Sequence, residues 1–193
     1  MAEENGVSTI KVTRDYQNRI LTEIQLNLEQ DTIPDPNDIK VVHYTYDING
    51  YMTARINKDK SGRLKEGKFG YAKVVFQFDH NGMFFGEEFL NKEGELVIHP
   101  SLGYAKIDFR EFNEYGKSKR QYFIDENGYP SSNKAMAVID YNDNMTRKKY
   151  VIYDRVGKLI EDKKGWSSIL YEYDKDGKFS GRKYYNLENE LVE

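Results

Sequence analysis

The side chains able to do chemistry in this 193-residue chain are three histidines, some adjacent carboxylates and many aromatics. General acid–base work or metal binding needs histidines at a shared site or at ligand spacing. His43, His80 and His99 fall instead at three unrelated points of the pattern described below. Glu87–Glu88 and Glu161–Asp162 have the residue types of a glycosidase pair, but neighbours on a strand point to opposite faces. The chain has no cysteine, which excludes disulfides, thiolate metal sites and cysteine nucleophiles. No HExxH, GxSxG, GxxxxGK[ST] or GxGxxG pattern occurs. The expectation is therefore no catalytic residue, no metal, no cofactor and no enzyme.

One stretch, Asp174-Lys175-Asp176-Gly177, imitates the start of a calcium loop, but the twelfth position is Lys183, where a bidentate Glu is needed. The basic clusters Lys117–Arg120, Arg147–Lys149 and Lys163–Lys164 sit among acidic residues, and the net charge is -3. That balance argues against a nucleic-acid partner. The candidates that remain are Tyr71, Tyr104 and Trp166, which recur at one position just after a loop. An aromatic there can stack on a sugar or on a partner side chain, or it can staple one segment to the next through buried ring area. The stapling role is the expected one, and the three residues are carried forward as candidate ligand-binding positions.

The elements that hold these residues are repeats. Gly70-Tyr71-Ala72-Lys73 returns as Gly103-Tyr104-Ala105-Lys106, and more loosely as Ala135-Met136-Ala137 and Gly165-Trp166-Ser167. A turn signal follows each, as in Asp79-His80-Asn81-Gly82 and Asp174-Lys175-Asp176-Gly177, and a second turn closes twelve residues later. The pairs are Asn18 and Gln30, Gly50 and Gly62, Gly82 and Gly94, Gly116 and Gly128, Met145 and Gly157, and Gly177 and Asn189. The first member of each pair advances by 32, 32, 34, 29 and 32 residues. Asp or Asn at the first turn position accepts backbone amides two residues on, and a positive φ at the fourth closes the loop with a bulge.

Ahead of the first turn, apolar residues alternate: Tyr46, Tyr44, Val42; Phe78, Phe76, Val74; Tyr141, Ile139, Ala137; Tyr173, Tyr171, Ile169. Period two with one apolar face is a half-buried strand. The alternation slips at Phe112, which places an irregularity at Glu111 and accounts for the 34-residue step. Between the turns lie eight residues, long enough for a second strand, and Glu95–Ile98 and Lys158–Ile160 suggest a short third. Thr22, Ala54, Gly86 and Gly181 are small at one position of the second strand, which predicts an aromatic lying across the backbone there.

These residues resemble a bacterial tandem-repeat family of the GYA and Tyr-Asp (YD) type and, more distantly, choline-binding and toxin carbohydrate-binding repeats. The stretch from Asn91 to His99 followed by Gly103-Tyr104-Ala105-Lys106 carries the likeness best. The resemblance implies a surface, secreted or envelope protein without catalytic residues of its own. It transfers no ligand-binding residue, because the shared motif is turn and strand chemistry.

The chain is expected to be all-β: an elongated antiparallel meander or solenoid of six repeats, with a small closed propeller or barrel as the alternative. The repeats fall at about 7–38, 39–69, 70–102, 103–134, 135–164 and 165–193, in a single array over 1–193. The expected function is a non-catalytic module for protein interaction or spacing, with carbohydrate or cell-wall binding as the alternative. A protein or glycan partner fits. No apolar run is long enough to span a membrane as a helix. Met1–Gln30 shows no signal-peptide pattern, so the compartment reads as surface or secreted if the chain is part of a larger protein, and cytoplasmic otherwise.

Overall fold

The computed structural model describes residues 9–192. Residues 7, 8 and 193 of the expected repeat bounds, and the first eight residues searched for a signal peptide, lie outside that range. Among the described residues every regular element is a strand, and all pairing within each unit is antiparallel. The chain divides into two compact units, Met1–Ala105 and Lys106–Glu193.

The first unit contains β1 (Thr9–Arg14), β2 (Ile20–Leu26), β3 (Thr32–Ile33), β4 (Val41–Tyr46), β5 (Met52–Lys58), β6 (Lys73–Phe78) and β7 (Phe84–Leu90). Its sheet runs β1-β2-β4-β5-β6-β7, with the two-residue β3 alongside β2. The second contains β8 (Lys106–Phe112), β9 (Ser118–Ile124), β10 (Met136–Tyr141), β11 (Arg147–Tyr153), β12 (Ser168–Tyr173), β13 (Phe179–Tyr185) and β14 (Leu191–Val192), paired in chain order. In neither unit does the first strand pair with the last, so each is an open meander rather than a barrel.

Each repeat is a long hairpin, and the turn chemistry is uniform. In the first turn the Asp15 N–H donates to the Arg19 carbonyl and the Asn18 N–H to the Asp15 carbonyl, at 3.0 Å each. The same two bonds recur at Asp47, Asp79, Asn113, Asn142 and Asp174, and again at the second turn of every repeat. The Asp47 carboxylate accepts the N–H groups of Asn49 (3.0 Å) and Tyr51 (2.8 Å), a bond more than the sequence predicted. All twelve closing positions have positive φ, including the non-glycine residues Asn18, Gln30, Met145 and Asn189. This is the three-residue hairpin loop built on a type I turn. Its fifth residue is spent on the loop, so the second strands are seven residues long rather than eight.

Consecutive hairpins pair through short registers such as Ala54↔Val75 with Ile56↔Lys73, and Lys149↔Leu170 with Val151↔Ser168. The apolar alternation lands on the packed face as expected: Val42, Val74, Ala137, Ile139 and Ile169 are buried. The irregularity does fall at Glu111, with φ 53°, but it leaves the pairing offset unchanged. Other hairpins carry a bulge on the second strand, as between Thr45↔Ala54 and Tyr46↔Met52. In β8–β9 the inserted Glu111 sits opposite Lys119 and cancels that shift, so Arg110↔Arg120 and Phe112↔Ser118 share one register.

Three expectations need correction. The third strand shrinks to a single bridge in four repeats, at Leu64, Leu96, Pro130 and Leu159. The backbone is needed at once for a further turn leading into the next hairpin, closed at Asp38, Gly70, Gly103 or Gly165 with positive φ. Gly181 carries no aromatic: a Cβ there would have only the Glu172 carboxylate as a neighbour, at 4.0 Å. Finally, Ala135, not Ala137, is the counterpart of Ala72. The Ala135 N–H donates to Tyr153 O as the Ala72 N–H donates to Leu90 O, so the looser copy was read two residues late.

Candidate functional site

Tyr71 and Tyr104 lie in the first unit, at the ends of loops that lead into a hairpin. Both pack on the buried ring of Phe89, with centroids 5.3 and 6.0 Å away. Phe69 and His99 complete the cluster, His99 at 4.8 Å from Phe69 and 5.0 Å from Phe89. Tyr104 is 9% exposed and donates its hydroxyl to Glu87 at 3.3 Å. Burial raises the Glu87 carboxyl above its ordinary value, opposed by that hydrogen bond. Burial also holds the His99 imidazole below its ordinary value, and its Nδ1 accepts the Ser101 N–H at 3.3 Å. A ring that accepts there and is penalised for charging is neutral at pH 7.

Trp166 lies in the second unit, half-buried between Tyr150 (6.3 Å) and Tyr184 (5.9 Å). The fold thus brings Tyr71 and Tyr104 together on one platform ring and gives Trp166 a separate one. In all three places the ring lies against neighbours in the flanking hairpins, with offset or tilted geometry favourable for aromatic pairs.

Sequence reasoning missed the fourth member of this set. With Ala135 as the counterpart of Ala72, Lys134 stands where Tyr71, Tyr104 and Trp166 stand. Its ammonium lies 3.8 Å from the centroid of the buried Phe123 ring and donates to the Tyr150 hydroxyl at 3.4 Å. Burial depresses the Lys134 amine below its ordinary value, opposed by the charge of Asp162. The signal was the 29-residue step: the loop before β10 is three residues shorter than the regular one and has no turn with positive φ.

The remaining chemical candidates hold backbone. Glu161 accepts the Leu187 N–H at 3.0 Å, as Glu66 accepts that of Lys92 at 3.1 Å. Asp162 accepts the N–H groups of Lys164 and Trp166. Asp174 accepts those of Asp176 and Lys178, while Lys183 forms an ion pair with Glu172 at 2.6 Å. His43 is held below its ordinary value by burial and by Lys58. Among the described residues no group of three or more His, Asp or Glu is placed to hold a metal ion.

A second recurrent device explains the Tyr-Asp pair. The tyrosine before the turn Asp or Asn donates its hydroxyl to a carbonyl two residues past the previous hairpin's turn. Tyr46 reaches Ile20 O (2.9 Å), Tyr141 reaches Ser118 O (2.8 Å) and Tyr173 reaches Arg147 O (2.8 Å). Phe78 lacks the hydroxyl and instead stacks on Tyr51 at 5.1 Å. Two shallow open grooves flank the Asn142–Met145 turn, of about 550 and 530 Å³, and share Tyr141, Asn142, Asp143 and Lys148.

No family model matches the chain, and no curated protein matches it. It is similar in structure to a chain of a Photorhabdus luminescens Tc holotoxin pore, at 9% identity and a TM-score of 0.39, over 92% of this chain and 10% of that one. A TcdB2–TccC3 crystal structure is similar at 14% identity and a TM-score of 0.27, over 96% of this chain and 12% of that one. The chain therefore spans about a tenth of the length of either, and a likeness this distant passes no activity or partner to it.

Proposed function

We propose that the chain is a non-catalytic repeat module for protein interaction or spacing, of the GYA and Tyr-Asp type, in a bacterial surface or envelope protein. One observation carries the reading: the groups that could act on a substrate are engaged in holding the hairpins. Turn carboxylates accept backbone amides, tyrosine hydroxyls bridge one hairpin to the next, and Glu66 and Glu161 reach across to a neighbouring turn. The second reading, carbohydrate or cell-wall binding, is favoured by the half-buried rings of Tyr71 and Trp166, which keep part of their surface open to solvent.

Cross-linking mass spectrometry on cells making the native protein tests the first reading. The expected result is protein–protein links mapped to the hairpins in an envelope fraction. A glycan array separates the two: binding lost in Trp166→Ala with the thermal transition retained would replace the first reading by the second. Turnover of any substrate, lost on changing Glu87→Gln, would remove both.

A further inference from the structure

Two strands show packed-face chemistry with nothing against it. In the internal hairpins the residue five places ahead of the turn is buried: Val42 is 7% exposed, Val74 5%, Ala137 0% and Ile169 7%. Its counterpart in β1 is Ile10, which is 53% exposed, and all six residues of β1 are exposed. The reason is topological. Val42 and Val74 lie opposite Glu23 and Arg55 of the preceding second strand, whereas β1 pairs only with β2 among the described residues. β13 presents the converse edge. β14 covers Tyr184 and Tyr185 only, and Gly181, Arg182 and Lys183, where other second strands receive the next hairpin, pair only with β12.

We infer that these two edges join between copies of this chain, β13 of one molecule receiving β1 of another in the register that links consecutive hairpins within each unit. That register sets Gly181 opposite Lys11, Arg182 opposite Ile10 and Lys183 opposite Thr9, as Ala54, Arg55 and Ile56 face Val75, Val74 and Lys73. The joint fits chemically. It puts no like charges directly opposite, Lys11 facing a glycine, and Arg182 over Ile10 repeats the Arg55–Val74 pair. Lys183 is already neutralised by Glu172. Backbone groups supply affinity, as in strand addition to an open edge. The joint is weaker than an internal one, because the residue before the Asp15 turn is Arg14, which donates to its own turn at Asn18 O, so no tyrosine hydroxyl crosses. Association is therefore reversible and head to tail, a geometry that does not close on itself at two copies. The inference concerns strand edges alone and stands or falls independently of what the repeat faces bind.

Single-cysteine variants test it cleanly in a chain without cysteine. Ile10→Cys and Arg182→Cys, made on separate molecules and mixed under mild oxidation, are expected to give a disulfide-linked heterodimer. Arg14→Cys mixed with Arg182→Cys, four residues or roughly 13 Å out of register, is expected to give little. Sedimentation of the unmodified chain is expected to show mass rising with concentration, weakened by about tenfold or more in Ile10→Lys. Because Ile10 is exposed, that change leaves the thermal transition in place. A chain that stays monomeric at all concentrations overturns the inference, as do equal cross-linking yields for both cysteine pairs.

Discussion

The loops leading into β6 and into β10 solve one problem with opposite chemistry. Before β6 a turn closed by Gly67 and Gly70 delivers Tyr71 onto Phe89, beside His99. Before β10 the loop is three residues shorter, and Lys134 covers Phe123 with its ammonium. An aromatic cap gains ring contact with little desolvation. A lysine cap gains a cation–π contact but gives up hydration of its charge. The two places differ in what covers the platform ring, while the hairpins they join have the same turns and pairing. Capping is thus separable from hairpin formation.

The largest expected effect tests whether the platform ring is the common element. Phe89→Ala and Phe123→Ala should each lose about 3–5 kcal/mol in urea unfolding, since both rings are buried. A loss at Phe89 alone would mean that Lys134 holds its hairpin without the ring. Next comes a glycine pair that separates conformation from contact. Gly62 and Gly82 both have positive φ, but a Cβ on Gly62 meets nothing within 4 Å, whereas on Gly82 it would overlap the Tyr51 ring. Gly62→Ala should cost about 1 kcal/mol and Gly82→Ala more, about 2–3 kcal/mol once the ring is displaced.

Smaller effects separate the two caps by pH. Lys134 titrates below its ordinary value in the folded chain, so the unfolded chain binds more protons just below that value, and stability rises with pH through this alkaline window. Lys134→Met should therefore be more stable than the parent near neutrality and lose that advantage as pH approaches 10.5. At the other cap the sign is the same but the window is acid. His99 is depressed below 6.5, so the parent should lose stability relative to His99→Phe as pH falls from 7 to 5, and show no such difference above 7. The smallest change is Tyr141→Phe, which removes one hydroxyl bond to Ser118 O and should cost about 0.5–1.5 kcal/mol.

Much of the fold was legible because its determinants are local. Asp47 to Gly50 specify a loop with their own side chain and their own φ, so the twelve-residue spacing read directly as a hairpin. What the sequence hid is non-local. The turns before the strands lack a uniform Asp, and one is closed by Asp38 rather than glycine, so only their glycine-tyrosine copies stood out. Lys134 was missed because its equivalence to Tyr71 rests on a backbone bond to Tyr153, which a three-residue deletion disguises. The tyrosine ahead of Asp was read as a core residue; that its hydroxyl reaches the previous hairpin depends on pairing visible only in three dimensions.

The strand order of each unit has a mechanical consequence. Every strand touches its sequence neighbours, so no strand is locked by a distant segment, and loss of an outer strand leaves the next hairpin whole. Such a sheet unzips one hairpin at a time from its rim, with amide exchange fastest in β1 and slowest around Ala72 and Ile152, which are fully shielded from water. Pulled along its length, the molecule would yield in steps, each releasing one hairpin's worth of chain.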